Sequence, residues 1–594
     1  MRFDDRRRAL RAVLAITALA LAVRLVGLGI RIFHWDEGRV GYWILRYHES
    51  GQFAYRPIVH GPFLFVVNDW VFSIPFLGAS DFSARLIVAL VGGLLPLSAW
   101  LLRDRLRDAE VVALAVVFAV NPLLVYYSRF MRNDVLVGAF AFVALAFFVR
   151  ALDRGDARLV YPAAAAMGLA FTTKENAVVY VLCYLGAGAL LLDHRLFRAA
   201  RSDRSVRHLI VRDWRTALAY RLGNWGGSVP RGIGLGALHT VGGVVVFFLV
   251  VTFFYAPRPE LWTALATPSR LPGVVEAATV GSWESFYSLW VAGSHQNHDY
   301  LPFLYDYLET LLYGAPFVLL FALIGFVADG YGEEGYRDVV AFAAYWGAVS
   351  IVGYPIATDI RAPWAAVHAV IPLAVPAAIG VAAAARRVRE TVRARAGDDP
   401  ATNGLFTPAA WTRPAALAAL VLCGAAVGVV GANAAYANSA SDEEAGEVIQ
   451  WAQPENELKD TLELVHGVAR VTDGTDVLFV GTHAPGNPSD VRFYVENEST
   501  LQQPRAGGPS WHTRLPLPWY LERYDAEVTS IAPDADLPSD PPPVVVAASW
   551  DEDRVARQLS GYERHRHDFR LWNDEIVVFV DESALERARR QGYV

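Results

Sequence analysis

Long apolar blocks separated by short polar runs dominate the first 435 residues of the chain. Blocks able to cross roughly 30 Å of hydrocarbon lie near 9–30, 82–102, 109–127, 135–152, 159–172, 177–192, 237–255, 304–328, 338–353, 364–385 and 414–435. The pattern predicts a polytopic α-helical membrane protein of about eleven spans. The first block follows Arg6-Arg7-Arg8, exceeds a signal-peptide core and lacks a small-residue cleavage site, so it reads as a retained helix. Between the first two blocks, residues 31–81 form a long loop. Its apolar piece from Pro62 to Leu77 is interrupted by Asn68, Asp69 and Pro75, which suits the membrane interface better than a crossing.

After residue 435 the periodicity changes. Asp476–Val480, Val544–Ala548 and Ile576–Val580 read as buried strands, separated by helical patterns such as 551–560 and 582–590, with a further helix within 443–470. The chain therefore divides into a membrane domain, residues 1–435, and a soluble α/β domain, residues 436–594.

Composition agrees: 54% of the 594 residues are hydrophobic and 19% are charged, with a mean hydropathy of +0.27. Nothing in it points to a nucleic-acid partner. Cys183 and Cys423 both sit in apolar blocks and behave as small hydrophobes. All but two of the 53 basic residues are Arg, the exceptions being Lys174 and Lys459. From Asn438 onward 29 acidic residues face 14 basic ones. An acidic, lysine-poor domain suits a halophilic, high-salt organism, where the Debye length falls to about 3 Å at 1 M and long-range steering contributes little.

Arginine also sets the orientation. Arg2, Arg6, Arg7, Arg8 and Arg11, the loops 103–108, 150–158 and 386–413, and the long 193–236 segment fall on one side if the spans alternate. The positive-inside rule makes that side the cytoplasm. The N-terminus is then cytoplasmic, and the loop 31–81, the turns at 128–134, 172–176 and 358–361, and the C-terminal domain are extracytoplasmic.

The compact charged clusters lie on that outer side. His34-Trp35-Asp36-Glu37-Gly38-Arg39 places two adjacent carboxylates at the membrane edge, where charge is expensive and signals a site. Asp36 and Glu37 could take a proton from an acceptor hydroxyl, or hold a divalent metal ion beside a phosphate leaving group, with His60 as a further ligand or donor. The alternative is a helix cap. His60 itself is presented by the turn His60-Gly61-Pro62. In Ser128-Arg129-Phe130-Met131-Arg132-Asn133-Asp134, the guanidinium forks of Arg129 and Arg132 match phosphate oxygens, with Asp134 orienting one of them. Interfacial snorkelling is the plain reading of such arginines. Lys174, beside Glu175 and Asn176, is a point charge suited to phosphate. The late turn Asp359-Ile360-Arg361, followed by Trp364 and His368, adds Arg361 to the candidates. His295 and His298 are two histidines without a third ligand in view, a weak basis for a metal site. Asn497-Glu498-Ser499 fits the glycosylation sequon.

These motifs, in this order and on this side, resemble the GT-C superfamily of integral-membrane glycosyltransferases, including the dolichyl-phosphate-mannose–protein mannosyltransferases. His34–Glu37, Ser128–Asp134, Thr173-Lys174-Glu175 and Pro518-Trp519-Tyr520-Leu521 look like those of archaeal flippase-activity-associated N-glycosylation proteins. The resemblance implies a GT-C-like fold and a hexosyltransferase that moves a sugar from a polyprenyl-phosphate carrier to a glycan or protein acceptor at the outer face of the cell membrane. It assigns the base or metal-linked role to Asp36, with Glu37 beside it. The narrower family name implies a different role, that of a non-catalytic factor binding a lipid-linked glycan. A third reading makes the membrane part an anchor for a binding module. No Asp-x-Asp stands in the first loop, and the lysine turn reads Lys-Glu-Asn where bacterial aminoarabinose transferases have Lys-Gly-Pro.

Overall fold

The structure, a computed structural model, describes residues 3–201, 214–293, 298–331, 335–358, 360–396, 413–436, 448–498, 510–571 and 575–594. His295, Asp359, Ser499 of the sequon and the stretch 443–447 lie outside the described residues, as do parts of the 193–236 and 386–413 segments.

The membrane domain begins with α1 (Phe3–Leu25), followed by α2 (Trp35–Ser50), α3 (Phe63–Phe72), α4 (Asp81–Ser98), α5 (Asp108–Val120), α6 (Pro122–Ser128), α7 (Asp134–Arg154), α8 (Val160–Thr173) and α9 (Ala177–Arg201). The longer helices that follow are Val229–Tyr255, Tyr300–Gly314, Pro316–Gly330, Asp338–Ala357, Val367–Ala396 and Arg413–Tyr436, with shorter ones such as Trp214–Gly226 and Glu260–Ala266 among them. Among the described residues, seven helices are long and apolar enough to cross a membrane, or up to nine if each of two bent pairs counts as one span. The eleven expected from the sequence include two helical segments that fall outside this count. Segment 9–30 falls short because Arg8, Arg11 and Arg24 interrupt α1, and segment 159–172 because α8 has only 14 residues. The bent pairs turn by 54° before Pro122 and by 91° before Pro316, where a proline disfavours helical geometry in the residue ahead of it.

α3 has 10 residues, about 15 Å of helix, too short for a crossing. α1 packs on α4 and α5, α7 on α8, and Pro316–Gly330 on the long helix Val367–Ala396. α7 matters most for the site. Its 21 residues run about 31 Å from Asp134 to Arg154. At the Arg154 end, Arg150 and Arg154 each stand 3.4 Å from Asp104, and Arg6 is 3.8 Å from the same carboxylate.

The C-terminal domain is built on a five-stranded sheet in the order β4-β1-β5-β7-β6: β1 (Val477–Val480), β4 (Val528–Ile531), β5 (Val544–Ala548), β6 (Tyr562–Asp568) and β7 (Glu575–Asp581). A hairpin of β2 (Thr482–Ala484) and β3 (Asn487–Arg492) stands apart. β1 pairs in parallel with β4 and β5, while β7 is antiparallel to β5 and β6. The three strands expected from continuous apolar runs are the adjacent central ones, buried on both faces. β6, Tyr-Glu-Arg-His-Arg-His-Asp, is a polar edge strand and carries no such run. Of the expected helices, 582–590 forms in full, whereas 551–560 shrinks to Glu552–Ala556.

This domain docks on the start of the membrane domain. Asp81, buried at the first position of α4, receives Lys459 Nζ at 2.7 Å, Trp519 Nε1 at 2.9 Å, Tyr520 Oη at 3.1 Å and Arg523 Nη1 at 3.2 Å. Tyr520 Oη also accepts the Phe33 N–H at 2.9 Å, and the Phe33 ring stacks on Trp519 with centroids 4.8 Å apart. Gly38 is required here, since a Cβ would meet Pro516 Cα at 2.7 Å.

Candidate active site

The site is built from the first turn of α2. His34 caps the helix: its Nδ1 accepts the Asp36 N–H at 3.2 Å, and Glu37 reaches back to the His34 N–H at 3.1 Å. Burial pushes the His34 pKa well below its usual range, so the ring is neutral. With Nδ1 accepting, Nε2 carries the proton toward the Trp451 carbonyl at 2.9 Å. Successive helical residues project about 100° apart, and that divides the two carboxylates.

Glu37 turns inward and is fully buried. Arg85 donates to it twice, through Nε and Nη2, each at 2.7 Å, and the Met131 N–H adds a third bond at 2.7 Å. Both of its oxygens are engaged in holding the loop together. Glu37 therefore does not reach the cavity, and the expected metal set Asp36, Glu37 and His60 does not form. Among the described residues no group of three or more His, Cys, Asp or Glu is arranged to hold a metal ion.

Asp36 turns the other way, into a cavity of about 280 Å³. The same cavity is lined by Arg39 from α2, His60 from the following loop, Arg132 and Asp134 from the start of α7, Lys174, Glu175 and Asn176 from the turn after α8, and Trp364 and His368 from the late helix. Trp283, Phe286 and Trp290 supply an aromatic wall. A larger cavity of about 510 Å³ lies between the two helix bends and Arg413–Tyr436, but its lining is apolar, with Tyr313 its one titratable side chain. Chemistry, not size, separates the two.

The charges in the smaller cavity are ordered. Arg132 is in direct contact with Asp36. Its Nε donates to Asp134 at 2.9 Å, and its guanidinium lies 3.9 Å over the Trp364 ring. Asp134 also takes Lys174 Nζ at 2.7 Å and faces His368 Nε2 at 3.3 Å. Since the Asp134 carboxylate only accepts, the neutral ring carries its proton on Nε2 toward it, and Nδ1 accepts the Tyr180 hydroxyl at 2.6 Å. One carboxylate thus holds an ammonium and a guanidinium side by side, an arrangement suited to phosphate oxygens.

On the opposite wall, Glu175 accepts the Tyr55 hydroxyl at 2.6 Å and stands 3.5 Å from His60 Nδ1, near enough for attraction but too far for a good hydrogen bond. Burial, then the Glu175 charge, push the Tyr55 pKa up, so it keeps its proton. His60 has φ +67° and ψ −165°, a region left almost entirely to glycine that costs on the order of 1–3 kcal/mol and tends to mark functional positions. The next residue explains how it is held. The Gly61 N–H donates to Thr173 O at 3.1 Å, and a Cβ there would lie 2.3 Å from Thr172 O, so only glycine lets this loop rest on the lysine turn.

Six of the expected residues, Asp36, His60, Arg132, Asp134, Lys174 and Glu175, therefore meet in one cavity. Three do not. Besides Glu37, Arg129 caps the end of α1 through the carbonyls of Val23, Arg24, Val26 and Gly27 at 2.7–3.0 Å, and Arg361 stands at the surface, 3.3 Å from Asp306. His368 and Trp364, noted only as part of a late turn, belong to the site. Tyr55 and Tyr180 carried no sequence signal, being single polar atoms in apolar or aromatic surroundings.

Residues 59–210, which include the cationic half of this site but not Asp36, match the family model of dolichyl-phosphate-mannose-protein mannosyltransferases. Residues 458–581 match the Agl23 flippase-associated protein C-terminal domain. No curated protein matches the chain. Among solved structures, ArnT from Cupriavidus metallidurans is similar in its apo state, with a TM-score of 0.55 and 17% identity over 96% of this chain and 98% of ArnT. ArnT bound to undecaprenyl phosphate gives 0.54 and 16% over the same shares. The archaeal oligosaccharyltransferase AglB from Archaeoglobus fulgidus gives 0.47 and 12%, over 98% of this chain and 75% of AglB. The motif resemblance to GT-C proteins is thereby met, in a mannosyltransferase-like membrane part with GT-C fold and an Agl23-type C-terminal domain.

Proposed function

We propose that this GT-C-type chain is a membrane glycosyltransferase that moves a sugar from a polyprenyl- or dolichyl-phosphate carrier to a glycan or protein acceptor at the outer face, in N-glycosylation or surface-glycan assembly. The observation that carries the reading is the convergence of a carboxylate, Asp36, with the cations Arg132 and Lys174 on one cavity at the membrane end of α7. Asp36 accepts the proton of the acceptor hydroxyl while that oxygen bonds to the sugar's anomeric carbon. The bond from that carbon to the phosphate oxygen breaks, and the phosphate leaves with the electron pair against Arg132 and Lys174. One displacement inverts the anomeric centre. No step here passes through a metal, for which these residues do not form a ligand set.

The sidedness is supported by α7, whose cavity end and arginine-lined end are about 31 Å apart. The positive-inside rule favours the cytoplasm for the arginine end, which supports an outward-facing cavity and C-terminal domain.

Replacing Asp36 with Asn at matched protein abundance, and weighing the cell-surface glycans by mass spectrometry, tests the reading. Loss of one sugar from an otherwise assembled glycan is expected, and a complete glycan overturns it. The Agl23-type domain favours a second reading, a non-catalytic factor that binds lipid-linked glycan during translocation. That role predicts charged lipid carrier accumulating on the cytoplasmic leaflet instead.

A further inference from the structure

With no ligand present, the proposed base is covered. Asp36 is in direct contact with Arg132, and both side chains are almost fully buried. A carboxylate engaged by a guanidinium has an occupied lone pair and a stabilised negative charge, which makes it a poor acceptor for a hydroxyl proton. Catalysis as proposed therefore requires Arg132 to let go.

The geometry shows how it can do so without leaving the site. Arg132 is held at three places: Nε by Asp134 at 2.9 Å, the flat face by Trp364 at 3.9 Å, and a terminal nitrogen by Asp36. The first two fix the plane and base of the fork, and only the third must be given up. Asp134 does not follow, because Lys174 at 2.7 Å and His368 at 3.3 Å anchor it from other directions. An incoming phosphate group presents several oxygens to the guanidinium and the ammonium together, whereas Asp36 offers one carboxylate to the guanidinium alone.

We infer that Arg132 is a positioning residue that masks Asp36 until an anionic phosphate enters the cavity, so that the base is exposed only after the lipid-phosphate donor is seated. The inference rests on the proposed function, and gives that site an order: donor phosphate first, acceptor hydroxyl second. It also explains why Asp36 and Arg132 share one cavity with a second cation, since Lys174 receives the phosphate as Arg132 swings to it.

The test uses the full chain in detergent micelles with dolichyl phosphate as probe. Lipid binding is measured on the same samples in which Asp36 is labelled with a carbodiimide and glycine ethyl ester and quantified by fragment-ion mass spectrometry. Saturating dolichyl phosphate is expected to raise Asp36 labelling about tenfold, the factor that releasing one charge-assisted hydrogen bond gives. Glu37, sealed against Arg85, serves as the internal reference and stays unlabelled. Arg132→Gln is expected to label at the raised level with and without lipid. Arg132→Lys, which cannot reach both carboxylates as a fork does, falls between. Bound lipid that leaves Asp36 labelling unchanged, or lowers it, overturns the inference while the phosphate-lipid reading of the cavity survives. Absence of any dolichyl phosphate binding overturns that reading, and the inference with it.

Discussion

Two carboxylates adjacent in sequence are expected to fail in opposite ways. Glu37→Gln keeps the side-chain size but removes the charge that faces Arg85. Arg85 has no exposed surface. It retains the carbonyls of Leu28, Arg31 and Ile32 at 2.7–3.2 Å, yet loses the carboxylate it donates to twice at 2.7 Å. A glutamine also brings an N–H₂ into a pocket where Arg85, the Met131 N–H and the His34 N–H all donate. Breaking a buried pair from one side costs about 3–5 kcal/mol, a large part of the roughly 5–15 kcal/mol that holds a folded protein. Asp36→Asn removes one partner from Arg132, which keeps Asp134 and Trp364, so it costs about 1.5–3 kcal/mol, that of one charge-assisted hydrogen bond, and less than Glu37→Gln. The assay is tryptophan-fluorescence unfolding of detergent-purified variants at one fixed scan rate, since unfolding of a large membrane protein is governed by a rate. Glu37→Gln should unfold several degrees below wild type, and further below it than Asp36→Asn does. If Glu37→Gln unfolds with wild type and nevertheless abolishes transfer, the division into a structural and a reacting carboxylate is wrong.

Two further outcomes follow from local geometry. Gly61→Ala should push the His60 loop off the Thr172–Glu175 turn, because the new Cβ meets backbone oxygens at 2.3 and 2.7 Å that cannot yield; transfer should fall about 10²-fold, as a displacement near 1 Å does, with the yield of detergent-extracted protein maintained, and unchanged kinetics would show that His60 is not positioned by this contact. His466 stacks on Tyr524 with centroids 4.3 Å apart, and burial, then Arg470 and Arg523, hold its pKa below the usual value. The unfolded chain then binds the proton more readily, so stability falls as pH drops through about 6.5, and His466→Gln should flatten the unfolding profile between pH 8 and pH 5.5.

What could be read from the sequence depended on whether a residue's role is local. The arginine distribution and the apolar blocks describe whole helices, and the central strands β1, β5 and β7 were visible because burial on both faces makes each a continuous apolar run. β6 was not, since an edge strand exposes its polar residues. Two expected spans are the least regular: α8 is apolar but short, and α1 carries its charges into the apolar stretch. In the site, residue type was a good guide and direction was not. Asp36 and Glu37 are indistinguishable in sequence, yet a 100° turn of helix sends one into the cavity and the other against Arg85. Arg129 and Arg132 separate likewise, one capping α1 and the other reaching Asp36. His368 is a lone histidine on an apolar helix, and only the fold brings Asp134 and Tyr180 to its two nitrogens.

The seating of Tyr520 on Phe33 has a consequence in time. The two residues are 487 positions apart, which at about 5–20 residues per second of synthesis is a delay of roughly 25–100 s. For that interval the segment that carries Asp36 has emerged without the C-terminal partners that hold its backbone, and Asp81 waits for Lys459, Trp519, Tyr520 and Arg523. The loop is therefore finished last although it is made first, and a nascent or truncated chain carries every catalytic side chain without the frame that aims them. A ribosome-bound chain stalled before residue 519 should consequently show the 31–38 segment open to protease, closing only as the last domain folds over it.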